Sequence, residues 1–183
     1  MKKSIVNIFA ILTTVLLLTS CWWTATDNSL KEHLWDGFKI NVPNWWIEVE
    51  ESTLPKIQNW KINLWMTSTE LTAWFANNIV ITSDDIFTDT TSLKYIITNY
   101  VRSSGELNSF TKLSETEFDF KDWDKWKIYT FEAKYNNETP KRKFLQTAKL
   151  CNKKAYLITI WLNLDKTTSE YENVLKTFEC TSK

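Results

Sequence analysis

The chain has 183 residues, with Lys+Arg 22 balanced by Asp+Glu 22 for a formal net charge of zero. That length suits one domain, its 43% hydrophobic content allows a real core, and the lack of a basic stripe argues against a nucleic-acid partner. One count is anomalous: Trp 11 stands against Gly 2.

Lys2 and Lys3 open the chain, and an apolar run rich in Ile, Val and Leu follows over residues 5–18. Its uninterrupted apolar part is shorter than the roughly 20 residues of a membrane-spanning helix. A cleaved secretory signal over residues 1–20 is therefore expected in preference to a transmembrane anchor. Leu18, Thr19, Ser20 and Cys21 close the segment. In that order they resemble the lipobox of bacterial lipoproteins, where a signal peptidase cuts before the cysteine. The resemblance implies that Cys21 carries a diacylglycerol on its thiol and an acyl chain such as palmitate on its amine. Each buried methylene contributes about 0.8 kcal/mol, so two or more chains hold a protein stably at a membrane. Residues 21–36 are polar, small and without period, as a flexible tether would be, and a single domain is expected over residues 37–183.

Residues 38–42 alternate apolar and polar, and residues 46–50 alternate again beyond Pro43 and Asn44, which predicts strand, turn and strand. Residues 54–67 are ambiguous, with 61–65 readable as a strand. The β-branched stretch 77–82 predicts a strand ended by a turn at Ser83, Asp84 and Asp85. Asp89, Thr90, Thr91 and Ser92 offer N-cap oxygens, and Leu93, Ile96, Ile97, Tyr100 and Val101 then recur on one helical stripe. Gly105 is the expected stop. Residues 121–125 read as a tight turn, with strands at 126–135, 144–150 and 155–162 joined as a meander. Thr167 and Glu170 match a capping box ahead of a second stripe of Tyr171, Val174, Leu175 and Phe178. Strands outnumber helices and neighbours look hairpin-linked, so the expected class is α+β with a largely antiparallel sheet.

The order of these pieces resembles the PsbP-like family. The resemblance is carried by Gly37, Phe38, Lys39, Ile40, Asn41, Val42 and Pro43 with Trp46, and by Asn77, Asn78, Ile79, Val80 and Ile81. Ser92 and Leu93 opening a helix, the run 153–160, and the closing helix 171–178 complete it. It implies an antiparallel sheet sandwiched between helices, and a non-enzymatic role supporting a larger assembly. A photosystem partner is not implied, because no partner-binding motif is matched. The departure from the family is tryptophan where such domains often have glycine.

Chemistry is sparse. His33 is the one histidine and falls in the expected tether, which disfavours a Ser/His/Asp triad or a Cys/His pair. Cys151 and Cys180 lack zinc-ligand spacing. Asp84, Asp85 and Asp89 do not fit a calcium loop and read better as a solvated turn. Lys141, Arg142 and Lys143 read as a solvated strand end sooner than as a lipid-headgroup patch. No metal or cofactor is expected. The function expected is that of a lipid-anchored extracytoplasmic protein that binds or supports another envelope component, with the membrane and an envelope protein as partners. The alternative is a ligand-binding lipoprotein for a small apolar or sugar-like solute.

If the strand at 155–162 runs away from a hairpin at Asn152 and the last helix runs back, Cys180 returns to Cys151, so a Cys151–Cys180 disulfide is expected. Two unrelated buried cysteines are the alternative. Finally, average glycine usage of about 7% means roughly 13 residues in this length, close to the tryptophans and glycines taken together. Some bacterial lineages read UGA as glycine, and a table reading it as tryptophan would produce this imbalance. Trp22, Trp23, Trp45, Trp74, Trp123, Trp126 and Trp161 are the expected glycines, and Trp46 the expected genuine tryptophan. A real Trp-rich contact surface is the alternative.

Overall fold

The computed structural model describes residues 29–54, 61–72, 74–120 and 124–181. The expected signal peptide and Cys21 lie outside the described residues, as do Trp22, Trp23, Trp60 and Trp123. The strands are β1 (Leu30–Trp35), β2 (Phe38–Pro43), β3 (Trp46–Glu48), β4 (Lys61–Thr72), β5 (Phe75–Asp85), β6 (Asn108–Asp119), β7 (Lys125–Lys134), β8 (Arg142–Cys151), β9 (Lys154–Leu162) and β10 (Glu179–Cys180). The helices are α1 (Ser92–Glu106), between β5 and β6, and α2 (Ser169–Lys176), between β9 and β10. Among the described residues, seven strands form one antiparallel sheet in the order β3-β4-β5-β9-β8-β7-β6. A smaller sheet, β1-β2-β10, is also antiparallel. The class is α+β.

β9 shows how one strand serves two cores. Tyr156, Ile158, Ile160 and Leu162 enter one cluster, while Leu157 enters the other with Trp161 packed beside it. A strand covered on both faces reads as a continuous apolar run, which is why 155–162 looks so uniform. The first core lies between the large sheet and a second layer made of β2 and α2. Phe38, Ile40 and Val42 meet Leu64, Met66, Ile79 and Ile81 there, with Tyr171, Val174, Leu175 and Phe178 from the C-terminal segment. The second core is covered by α1, whose Ile96 packs among Tyr129, Phe131, Ala133, Phe144, Ala148 and Leu157. Each fully buried Leu, Ile or Phe contributes roughly 1.5–3 kcal/mol. The small sheet shares the second layer with α2, so one flank of the sandwich is mixed sheet and helix.

Several boundaries differ from the sequence expectation. Leu30–Trp35 is strand β1, inside the expected tether. Its side chains are mostly exposed, so it carries no apolar period; the hairpin turn to β2 through Gly37, at φ 95°, registers it instead. Ser83, Asp84 and Asp85 continue β5, paired with Tyr156, Ala155 and Lys154. Gly105 lies within α1, which ends at Glu106 and is capped by Leu107, whose N–H bonds to Ser103 O. The stripe on α1 is rotated: Ser92, Ile96 and Asn99 are buried, whereas Ile97 and Val101 are exposed. Thr91 is the N-cap and accepts from the Lys94 N–H. The Thr167–Glu170 capping box does not form. Thr168 occupies the N-cap in helical geometry without a side-chain bond, and its carbonyl accepts from the Glu172 N–H at 2.8 Å.

Candidate functional site

Two polar constellations and a set of grooves are the features with chemical potential. The first gathers at the end of the sandwich where β8 turns into β9. Asn152 takes φ 58° in a two-residue turn, a conformation asparagine tolerates well. β9 then departs, α2 returns, and β10 pairs with β2 through Glu179↔Lys39 and Cys180↔Phe38. This places Cys151 and Cys180 at disulfide distance, with Cα atoms 5.5 Å apart. A groove of about 250 Å³ opens beside them, lined by Asp36, Asp85, Lys153, Lys154 and Tyr156 among others. The Tyr156 ring is buried, and burial, helped by Asp36 and Asp85, pushes its hydroxyl pKa above the usual phenol range. The hydroxyl donates to the Asp36 carbonyl oxygen at 3.5 Å. A Cβ on Gly37 would collide with that hydroxyl, so both the left-handed backbone and the space require glycine.

The second constellation joins Ser92, Asp124 and Lys149. Ser92 Oγ donates to Asp124 Oδ2 at 2.5 Å and accepts the Leu150 N–H at 2.9 Å. Lys149 Nζ bonds the same carboxylate oxygen at 3.0 Å and sits 4.0 Å from the Phe120 ring centroid. Serine, lysine and aspartate together suggest nucleophile chemistry, but Ser92 is 1% exposed and its hydroxyl is already committed on both sides. The group acts as a clasp between the start of α1, the β6–β7 loop and β8. Sequence reasoning missed it; the available signal was a lysine at an inward position of β8, in phase with Leu145, Thr147 and Cys151.

Other sequence candidates resolve structurally. Asp84 and Asp85 are strand residues, and no cluster of metal-ligating side chains occurs among the described residues. His33 lies on β1, stacked on Trp35 with centroids 5.2 Å apart, and burial lowers its pKa. Lys141 pairs with Glu132 at 3.3 Å, Arg142 donates to Asn163 Oδ1 at 2.8 Å, and Lys143 donates to the carbonyls of Leu164 and Lys166 at 2.8 and 2.6 Å. The three cations thus brace the β7–β8 loop and the β9–α2 connection. Two further open grooves, of about 230 and 390 Å³, lie beside β4 and beside the β6–β7 hairpin. The larger is lined by Glu117, Asp119, Lys125 and Lys127 together with Leu93, Phe118 and Trp126.

The tryptophans divide. Trp74, in the β4–β5 turn, has φ 62° and is 99% exposed. Trp126 is not in a turn: it belongs to β7, is 1% exposed, and stacks on Phe120 with centroids 3.6 Å apart. Its indole N–H has no hydrogen-bond partner among the described residues. Trp46 is buried against Tyr171, while Trp35, Trp45, Trp65 and Trp161 are half-buried.

This architecture has solved counterparts. Cyanobacterial PsbP (CyanoP) from Synechocystis sp. PCC 6803 superposes with a TM-score of 0.57 at 16% identity, covering 88% of this chain and 98% of that one. The fold is PsbP-like. PA94 of Pseudomonas aeruginosa, a protein of unknown function, shares it with a TM-score of 0.56 at 10% identity, over 84% of this chain and 99% of its own. A chain from Bacteroides thetaiotaomicron matches with a TM-score of 0.51 at 12% identity, over 84% of this chain and 49% of its own length. No family model and no curated protein matches the sequence. The stretches that carried the resemblance lie in β2, β5, the start of α1, β9 and the closing helix of this PsbP-like fold.

Proposed function

We propose that this chain is an extracytoplasmic protein, lipid-anchored at Cys21, that binds or supports another envelope component without catalysing a reaction. The observation that carries the reading is how its buried chemistry is used. Ser92, Asp124 and Lys149, the set closest to a catalytic constellation, are turned on one another and on the Leu150 backbone. Both cores are filled by side chains, and the grooves are open and bounded by charged groups, which suits surface contact better than capture of a small apolar solute. A cysteine pair at disulfide distance fits a compartment where thiols are oxidised. The lipobox resemblance and the PsbP-like fold agree with that location.

The test is crosslinking of the full chain in membranes of its own host, followed by capture and identification of what is joined to it. One protein recovered in stoichiometric amount, and lost when Cys21→Ser releases the chain from the membrane, is the expected result. Clean recovery of the chain alone would contradict the reading.

A further inference from the structure

The chain enters the described domain at a defined end of the sandwich. Asn44 donates its backbone N–H to Ser29 O at 3.1 Å and its side-chain amide to Ser29 Oγ at 3.0 Å, which fixes Ser29 beside the β2–β3 corner. The pairing Trp46↔Ser68 puts that corner toward the end of β4 that carries the β4–β5 turn. The pairings Asn78↔Trp161 and Lys143↔Leu162 bring the β9–α2 connection and the start of β8 to the same end, and Ala133↔Arg142 brings the end of β7. Gly37, Asn152 and the Cys151–Cys180 pair lie at the opposite end.

Exposed apolar side chains project from the Ser29 end: Leu71 is 72% exposed, Tyr135 67% and Leu164 42%. Trp74 is left out of this set, because its backbone suits glycine better. The opposite end also exposes an apolar ring, Phe87, at 93%. Chain length separates the two ends. From Cys21 to Ser29 is eight residue steps, which span at most about 29 Å whatever their conformation. From Ser29 to Gly37 at the opposite end is also eight residue steps, mostly along β1 (Leu30–Trp35), about 26 Å at strand rise. For the far end to rest on the bilayer with Ser29 pointing away, the tether must run almost fully extended back along the domain, whereas no such extension is needed with the Ser29 end down.

We propose that the end of the sandwich holding Ser29 faces the membrane, with the β4–β5 turn and Leu71 seated in the lipid headgroup region. This rests on the anchoring of Cys21 proposed above. It leaves Phe87, the open groove at Tyr156 and the disulfide end directed away from the bilayer, where a protein partner would meet them.

The experiment uses the full chain, acylated at Cys21 in a bacterial membrane and reconstituted into phosphatidylethanolamine–phosphatidylglycerol vesicles. An environment-sensitive fluorophore is placed through Leu71→Cys, Phe87→Cys or Val101→Cys after the Cys151–Cys180 pair has oxidised, and the vesicles are compared with and without brominated acyl chains. Loss of emission for the label at position 71, with positions 87 and 101 unaffected, is the expected result. Retained emission at 71 overturns the proposal, and so does loss at 87, or loss at 101 from a domain lying on α1. Shielding of 71 in native membranes without quenching by brominated lipid assigns the turn to a protein partner and also overturns it. Flotation of the same vesicles separates the two readings. A chain that floats but fails at 71 defeats the orientation alone, whereas a chain that does not float defeats the anchor and the orientation together.

Discussion

Lys149 Nζ lies 3.0 Å from Asp124 Oδ2, although the lysine is 2% exposed and stands in a strand between hydrophobic neighbours. The carboxylate is also the acceptor for Ser92 Oγ, so one side chain from the β6–β7 loop fastens both the start of α1 and β8. Removing one partner of a buried pair is worse than removing both, because the remaining charge stays desolvated. Asp124→Ala is expected to cost about 2 kcal/mol, within the range for hydrogen bonds to charged groups. Lys149→Met, which removes the buried charge and keeps the packing on Phe120, should cost less. Denaturant midpoints at unchanged m-value decide it; equal losses in the two variants would reject the clasp.

Cys151 and Cys180 are 29 positions apart in sequence. Closing a loop of that size contributes about 3–4 kcal/mol in the chain-entropy account. Reduction, or replacement of both by alanine, should lower stability by that amount and loosen β10 from β2 first. Quantitative alkylation of two thiols in the oxidised, exported protein would show that no bond exists.

Tyr171 gives the alkaline limit. Burial, then the neighbouring Glu170, pushes its hydroxyl up to about 12, with a hydrogen bond to Asn77 acting the other way. An unfolded tyrosine ionises near pH 10, so as pH rises the unfolded chain loses this proton first. The folded-state advantage is complete below about pH 10 and falls away between about 10 and 12. Tyr171→Phe should therefore make stability decline less steeply across that window. An unchanged slope would mean that the phenol is not what the burial geometry indicates.

Trp74 and Trp126 make opposite predictions under the glycine reading of UGA. At φ 62° and full exposure, a side chain at position 74 contributes strain and no packing. Trp74→Gly should therefore stabilise by about 1 kcal/mol, the scale of a left-handed residue relieved of its Cβ. Trp126 fills the first core, and truncating a buried tryptophan costs about 3–5 kcal/mol. Peptide masses from the native host read the codon assignment directly. Glycine at 74 with tryptophan at 46 is the expected result, and tryptophan at 74 would contradict it.

Strand and helix order was legible wherever one face is buried. β2, β7, β8, β9 and α2 announce themselves through Phe38, Ile40 and Val42, or through Tyr171, Val174 and Leu175, because alternation and helical stripes report a covered face. β1 and β6 were not legible for the complementary reason. Their side chains are largely exposed, and their pairing comes from the turn at Gly37 and the hairpin to β7. The rotation of α1 follows from Asn99, a polar residue buried by donating its amide to the Tyr95 carbonyl at 2.9 Å, which no apolar stripe can report. Cys151 and Cys180 were predictable from chain path alone, whereas the Ser92–Asp124–Lys149 clasp joins three elements and has no local pattern.

The account depends most on Cys21, and the mass of the mature N-terminus tests it most directly. Intact mass spectrometry of the protein extracted from its own membrane should show a chain beginning at Cys21 with a diacylglyceryl group and an added acyl chain. A chain that retains residues 1–20, or one cleaved elsewhere with an unmodified Cys21 thiol, would contradict the lipid anchor, the orientation built on it, and the envelope role proposed here.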